Sequence, residues 1–291
     1  MPPGNIAIYN SSDGTFELEN LVERSHSHCA FEMVYFSDPA SIENGLSVSK
    51  VRSSLGILGA ELFKAKGYEV DAVSPVPETA RTAAIACAKR LGATYAEDVI
   101  RKNRFYNKQR QFIQCSEQDR GCSLAQDPEK KDMHMSTKYL FDVWRAKERM
   151  LIVEDSIVRG NTLVGLLSEF IKRFPKTKEI HLLSTFPPVV SPCPNGIDMQ
   201  TKGEFFIPYI ICEQGIEATE QYALNKIREK INDSAGIVKS ITYIPVNEYA
   251  NIKGFKLENL CMGCCTGKYP NCTEEDLRKI GEQRNREKKH A

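Results

Sequence analysis

Two adjacent carboxylates, Glu154 and Asp155, stand at the end of an apolar run of four, Met150 to Val153. A small-residue turn follows through Ser156, Arg159 and Gly160. Beyond it, Leu163, Leu166, Leu167, Phe170 and Ile171 recur at helical spacing, with Asn161 or Thr162 placed to cap the helix. A strand, an acidic pair, a small-residue loop and a helix start make a site for a phosphorylated, hydroxyl-rich ligand. Loop amides and the helix N-terminus favour a phosphate. The carboxylates can accept hydrogen bonds from sugar hydroxyls or hold magnesium through waters. The plainer reading of the same pattern is a strand-to-helix connection with a solvated acidic pair.

The second group with chemistry in it is cysteine. Ten cysteines are many for 291 residues. In a reducing compartment they point away from disulfides and towards a metal or cluster site. Cys261 and Cys264 form a C-x-x-C with an extra thiol, Cys265, beside it. A single C-x-x-C is half a site, so two further ligands must come from elsewhere in the chain.

The elements that must position these groups can be read along the chain. Gly4 to Tyr9 reads as a strand, Asn10 to Gly14 as a turn, and residues 15–24 as a second strand or a connection. Phe31 to Phe36 is an aromatic, β-branched run expected as a strand. Ser47 to Lys66 has helical spacing. Val70 to Val73 is expected as a strand, Ser74 to Thr79 as a loop and Ala80 to Leu91 as a helix ended by Gly92. Such a loop at the edge of a parallel strand is where α/β proteins place ligands, although a proline-stiffened turn needs none. Residues 101–137 are polar, locally basic and without a period. They read as a mobile flap over an anionic ligand or as a solvated excursion. Tyr139 to Ala146 is expected as a short helix. Glu179 to Thr185 and Ser240 to Ile244 read as strands, residues 214–231 as a helix, Val246 to Ile252 as helical and the segment from Glu274 as a charged helix. Alternation of strands and helices argues for an α/β fold with a mainly parallel sheet covered on both faces.

Bulk properties exclude more than they assign. Lys+Arg 39 against Asp+Glu 38 gives a net charge of +1, so no global field points to nucleic acid or a membrane surface. The chain has no long apolar span and no signal-like N-terminus. The expectation is a soluble, cytoplasmic protein.

The segment VEDSIVRGNT resembles the phosphoribosyl diphosphate (PRPP) motif of type I phosphoribosyltransferases. Four flanking segments narrow the resemblance to the glutamine PRPP amidotransferase family of purine biosynthesis. FEMVYFSDPASIENGLSVSKVRSSLG is similar to that family's FEYVYFARPDS segment, and VSPVPETARTAAIACAKRLG to its pyrophosphate loop and helix. IRKNRF with RQFI is similar to the start of its flexible loop, and LCMGCCTGKYP to its C-terminal LCxxCFTGxYP. The motifs stand in the family's order from about Gly4 to about Pro270.

The resemblance implies a type I phosphoribosyltransferase domain over residues 1–260, with the flexible loop at 101–137. A Cys-rich segment and C-terminal helix at 261–291 would pack on it. It implies transfer of phosphoribosyl from PRPP to ammonia or another amine with loss of pyrophosphate. Glu154 and Asp155 would hold the ribose hydroxyls and Mg2+. Ser156, Ile157, Val158, Arg159, Gly160, Asn161 and Thr162 would bind the 5-phosphate. Pro77, Glu78, Thr79, Ala80 and Arg81 would contact pyrophosphate, and Lys102, Arg104, Arg110 and Lys138 would neutralise the leaving group. Many members carry a [4Fe-4S] cluster, and the four ligand positions are filled here by Cys29, Cys193, Cys261 and Cys264; four thiolates could equally bind zinc. Cys265 stands where the family usually has Phe. The chain begins at Met1-Pro2-Pro3, without the family's nucleophilic cysteine at position 2, so no glutaminase activity is expected. The expected partners are PRPP, a separate glutaminase subunit and further copies of the chain. The stretch from Cys115 to Met135 matches poorly. That keeps open a PRPP-binding regulator without turnover, or an enzyme with a different acceptor.

Overall fold

A computed structural model describes residues 3–24, 26–103, 138–142, 144–197 and 205–290, of which 284–290 are described in backbone alone. The flap expected at 101–137, with Arg104 and Arg110, lies outside the described residues apart from its first three positions.

A five-stranded parallel sheet organises the molecule. Its strands are β6 (Ala72–Pro75), β7 (Thr94–Tyr95), β10 (Arg149–Glu154), β11 (Glu179–Ser184) and β12 (Val238–Tyr243), in the order β12-β11-β10-β6-β7. The strand that carries the apolar run leading into the acidic pair, β10, is central. Val153 sits opposite Pro75 on one side, and Glu154 opposite Ser184 on the other. Successive side chains of a strand face opposite ways. Met150 and Ile152 therefore enter one core, against Leu163, Leu166 and Phe170 of α3 (Asn161–Arg173) and Ala223 and Ile227 of α5 (Ile216–Lys230). Leu151 and Val153 enter the other, against Ala60 and Phe63 of α1 (Val48–Ala65) and Ala84 and Cys87 of α2 (Arg81–Leu91). A strand buried on both faces must be apolar throughout, which is why Met150 to Val153 does not alternate.

The smaller strands form ribbons around this sheet. β1 (Asn5–Tyr9) and β2 (Phe16–Asn20) make an exposed antiparallel hairpin. β4 (Ile42–Glu43) pairs β5 (Leu46–Ser47). β8 (Ile100–Lys102) pairs β9 (Tyr139–Phe141) antiparallel, setting Lys102 opposite Tyr139. β3 (His28–Cys29) pairs β13 (Leu260–Cys261) in parallel. The remaining short helices are α4 (Tyr209–Cys212) and α6 (Gly263–Thr266), and α7 (Glu274–His290) ends the described chain. Among the described residues, no helix is long and apolar enough to cross a membrane.

Three local expectations are corrected. Phe31 to Phe36 is not a strand: Glu32–Phe36 is one turn of π-helix. The buried Arg52 of α1 donates from Nε to the Met33 carbonyl at 3.0 Å and from a terminal nitrogen to the Ser37 carbonyl at 2.7 Å. Such a clamp satisfies carbonyls that a wide turn leaves over. Tyr139 to Ala146 is not a helix, because Tyr139–Phe141 finds backbone partners on β8. Neither Asn161 nor Thr162 caps α3. The cap position is Gly160, in left-handed conformation with φ 75°, and no side chain caps the helix.

Candidate active site and cysteine pocket

The strand order reverses direction between β6 and β10, and ligands of open α/β sheets bind at the carboxyl ends of strands at such a point. Two loops leave there. One runs from Pro75 through Pro77, Glu78 and Thr79 to Ala80; the other runs from Glu154 to Gly160. The Val76 amide donates to the Val153 carbonyl at 2.8 Å, holding the two loops at one level. The Thr79 hydroxyl donates to Oδ2 of Asp155.

Asp155 is 5 % exposed and heavily engaged. Ser156 Oγ donates to its Oδ1 at 2.6 Å, and Thr185 Oγ1 donates to its backbone carbonyl at 3.1 Å. Glu154 differs. The residue as a whole is half-buried, yet Oε2 is sealed from solvent with no hydrogen-bond partner. Burial first, and then the neighbouring Asp155, push its carboxyl well above the ordinary range, and Lys138 opposes them. A buried acceptor left unpaired costs about 1–3 kcal/mol, more if charged. A ligand hydroxyl or a metal-bound water would relieve that cost.

Cations reach the acidic pair from the β8–β9 ribbon. Burial lowers the Lys138 ammonium pKa, Glu154 raises it and Lys102 lowers it further. Lys138 Nζ lies 5.1 Å from the centroid of the Tyr139 ring. Tyr139, 3 % exposed, has its phenol pKa pushed up by burial and then by Glu154, Asp155, Tyr35 and Glu78. Tyr139, Tyr35 and Thr185 thus border the site without having been found in the sequence. Thr185 alone had a usable signal, since it follows a strand parallel to β10. Arg81 pairs with Glu78 at 3.1 Å and Glu97 at 2.8 Å, and its Nε is buried without a partner.

The second loop is closed from behind. Ile157 and Val158 are buried, and the Val158 carbonyl accepts from the Phe206 amide at 2.7 Å. A Cβ on Gly160 would stand 2.4 Å from the Phe206 ring, so only glycine fits between loop and ring. Ser156, Arg159, Asn161 and Thr162 line the exposed side of this loop and the start of α3.

The four cysteines singled out by sequence converge on a separate pocket. Cys29 and Cys261 are opposite each other in the β3–β13 ladder. The amides of Val190 and Ser191 donate to the Cys264 carbonyl at 2.8 and 3.0 Å, drawing the Cys193 loop onto α6. Tyr269 donates to the Pro192 carbonyl at 2.8 Å, and the Asn195 amide points at Cys193 Sγ at 3.4 Å. Burial pushes the Cys29 thiol up to about 12, and Cys264, Cys261 and Cys193 add to the rise. Among the described residues, however, no three side chains of ligating type close on a single point.

No family model matches the chain. It is 34 % identical over 259 residues to the amidophosphoribosyltransferase of Methanocaldococcus jannaschii, covering 89 % of this chain and 47 % of that protein. The enzyme of the same name from Rattus norvegicus is 31 % identical over 282 residues, covering 92 % and 50 %. Among solved structures, glutamine PRPP amidotransferase from B. subtilis complexed with ADP and GMP superposes with a TM-score of 0.66 at 27 % identity, covering 92 % of this chain and 52 % of that one. A structure described as the allosteric regulatory enzyme of purine biosynthesis gives 0.67 at 26 % identity, covering 94 % and 52 %. The chain spans about half the length of the relatives it matches.

Proposed function

We propose, on the premise that the chain is a relative of the amidophosphoribosyltransferases with their type I phosphoribosyltransferase fold, that it binds PRPP and transfers its phosphoribosyl group to ammonia or another amine. The observation that carries this reading is the join between two loops at the sheet's reversal point. Thr79 of one loop holds Asp155 of the other, and the neighbouring Glu154 keeps a buried oxygen unpaired.

In this reading Glu154 and Asp155 take the ribose hydroxyls. The loop from Ser156 to Thr162 and the uncapped start of α3 take the 5-phosphate through amides and hydroxyls. The loop from Pro77 to Arg81 takes the pyrophosphate, with Lys138 and Lys102 beside it. The amine lone pair forms a bond to C1 as the bond from C1 to the pyrophosphate oxygen breaks, and the nitrogen then loses a proton to solvent. The protein's part is orientation and stabilisation of a cation-like sugar and an anionic leaving group. Glu154 with its unpaired oxygen fits magnesium, which when bound would neutralise pyrophosphate charge. Cys29, Cys193, Cys261 and Cys264 are the proposed ligands of an iron–sulfur cluster, with zinc as the alternative, on the strength of the family resemblance. A separate glutaminase subunit is the proposed source of ammonia, self-association is proposed, and purine synthesis in the cytoplasm is the proposed setting.

A second reading is a PRPP-binding regulator without turnover. It is favoured by Arg81, whose guanidinium is already paired with Glu78 and Glu97. Anaerobically purified protein mixed with PRPP, magnesium and ammonia should release pyrophosphate. PRPP binding without release under any amine would replace the first reading with the second, and no PRPP binding would sink both.

A further inference from the structure

Tyr249 lies beyond the last strand of the sheet, in a 3-10 helix over Val246–Asn251, and is fully buried. Its ring stacks on Phe255, with centroids 6.3 Å apart, and meets the Phe186 ring edge-on at 6.0 Å. Held on two sides, the ring fixes its hydroxyl. That hydroxyl donates to the Thr185 carbonyl at 2.8 Å. An apolar side chain would fill the same space against Phe186 and Phe255, so packing does not explain the hydroxyl. It leads instead to the acidic pair.

Thr185 is the first residue beyond β11 and is itself buried. It holds both residues of the pair by their backbone. Its amide donates to the Glu154 carbonyl at 3.0 Å and its hydroxyl to the Asp155 carbonyl at 3.1 Å. Ser184 Oγ donates to the Phe186 carbonyl at 2.8 Å, which closes the turn around Thr185. Thr185 is thus tied to the pair on one side and to Tyr249 on the other. From this geometry we infer that Thr185 and Tyr249 are a positioning pair for Glu154 and Asp155: the Tyr249 hydroxyl fixes the Thr185 turn, and the turn fixes the backbone from which the two carboxylates project. Misplacement by about 1 Å can cost about 100-fold in rate. The effect on turnover rests on the proposed reading of the acidic pair; the structural coupling does not.

The test compares wild type with Tyr249→Phe, Thr185→Val, Thr185→Ser, the double variant Tyr249→Phe/Thr185→Val, and Ser240→Ala. Ser240→Ala is the control, since it removes another buried contact, Ser240 Oγ to His181 Nδ1 at 2.7 Å, farther from the carboxyl ends of the strands. The first readout is amide hydrogen exchange by NMR and needs no substrate. The amides of Thr185 and Val76 report on the pair's strand, because they donate to the carbonyls of Glu154 and Val153. Both are expected to exchange at least about tenfold faster in Tyr249→Phe and Thr185→Val, and within about twofold of wild type in Thr185→Ser and Ser240→Ala. The second readout is pyrophosphate release from PRPP with ammonia. It should fall about tenfold in Tyr249→Phe and in Thr185→Val, by less than the product of those losses in the double variant, and recover in Thr185→Ser. Unchanged exchange in Tyr249→Phe overturns the inference, as does equal acceleration in Ser240→Ala or faster exchange with unchanged release. If Tyr249→Phe does not fold, Thr185→Val against Thr185→Ser decides: equal behaviour of those two overturns it. Wild type that releases no pyrophosphate would sink the proposed function, while the exchange rates would still decide whether Thr185 and Tyr249 hold the pair.

Discussion

At the scale of single residues, the two carboxylates of the acidic pair have different states. Asp155 accepts from Thr79 and Ser156, and its substitution by Asn would replace one acceptor oxygen with a donor. Asp155→Asn is expected to lower pyrophosphate release by at least about 100-fold, comparable to losing one preorganised transition-state contact. Unchanged release would remove Asp155 from the site. Glu154 is held above its ordinary range by burial. A carboxyl whose folded pKa is raised binds more protons folded than unfolded, so stability falls as pH rises from the unfolded value of about 4.3 through the folded one. Glu154→Gln keeps the neutral form at all pH. It should therefore raise the unliganded melting temperature at pH 7 by about 3 °C while lowering turnover, a stability–function exchange. A lower melting temperature with the same pH profile as wild type would show that Oε2 is satisfied in solution. The pair was legible in the sequence because an apolar run, two acids and a small-residue loop are contiguous. The difference between the two acids was not, since it comes from Thr79, far away along the chain, and from how deeply the fold buries Glu154.

At the scale of elements, Gly160 decides whether loop and helix can meet. Gly160→Ala places a Cβ in left-handed backbone and against Phe206, so a loss of about 2 kcal/mol or more is expected. Denaturant midpoints measure it, and a change under 0.5 kcal/mol by this scale would show that the ring yields freely (about the level of a neutral surface change). The sheet carries its own pH dependence in His181 of β11, 2 % exposed, with Nδ1 2.7 Å from Ser240 Oγ and the ring packed on Phe63 and Tyr68. Burial lowers its pKa, Glu179 opposes, and Lys239 and Arg149 add to the lowering. The unfolded chain then binds the extra proton, and stability should fall as pH drops below about 6.5. Melting temperatures of wild type between pH 7 and 5 should show this slope, and His181→Gln should flatten it. Of the main sheet, β6, β10, β11 and β12 were readable as short apolar runs between turn signals and the helices by their spacing, whereas the two-residue edge strand β7 was not read. The π-helical turn and β9 were not: one depends on Arg52 from α1, and the other on a partner strand before the flap. An aromatic run such as Phe31 to Phe36 looks the same in either conformation until its carbonyls find partners.

At the scale of the whole molecule, the α/β class followed from alternation of elements, and the resemblance singled out the acidic-pair loops and the four cysteines as candidates. What spacing alone could not tell was that Cys29 lies beside Cys261. That neighbourhood is set by one two-residue ladder joining the beginning of the fold to its end. Replacing Leu260 by Pro would disfavour the β3–β13 pairing, so on the proposed reading metal content should drop with little change in PRPP binding. Equal loss of both would show that pocket and phosphate loops unfold as one unit. The same ladder has a consequence for biosynthesis. A ribosome releases the chain from its N-terminus at roughly 5–20 residues per second, and the two loops at the sheet's reversal point can fold as soon as β11 has emerged. The cysteine pocket cannot, because its second edge is residue 261. Contacts so distant in sequence form late, after the closure of a long loop has been made worthwhile by the sheet between them. Any group bound by those cysteines would therefore be acquired by a nearly finished polypeptide, as a seal on completed synthesis: a product truncated before residue 261 can carry the two loops at the sheet's reversal point, but not the cysteine neighbourhood.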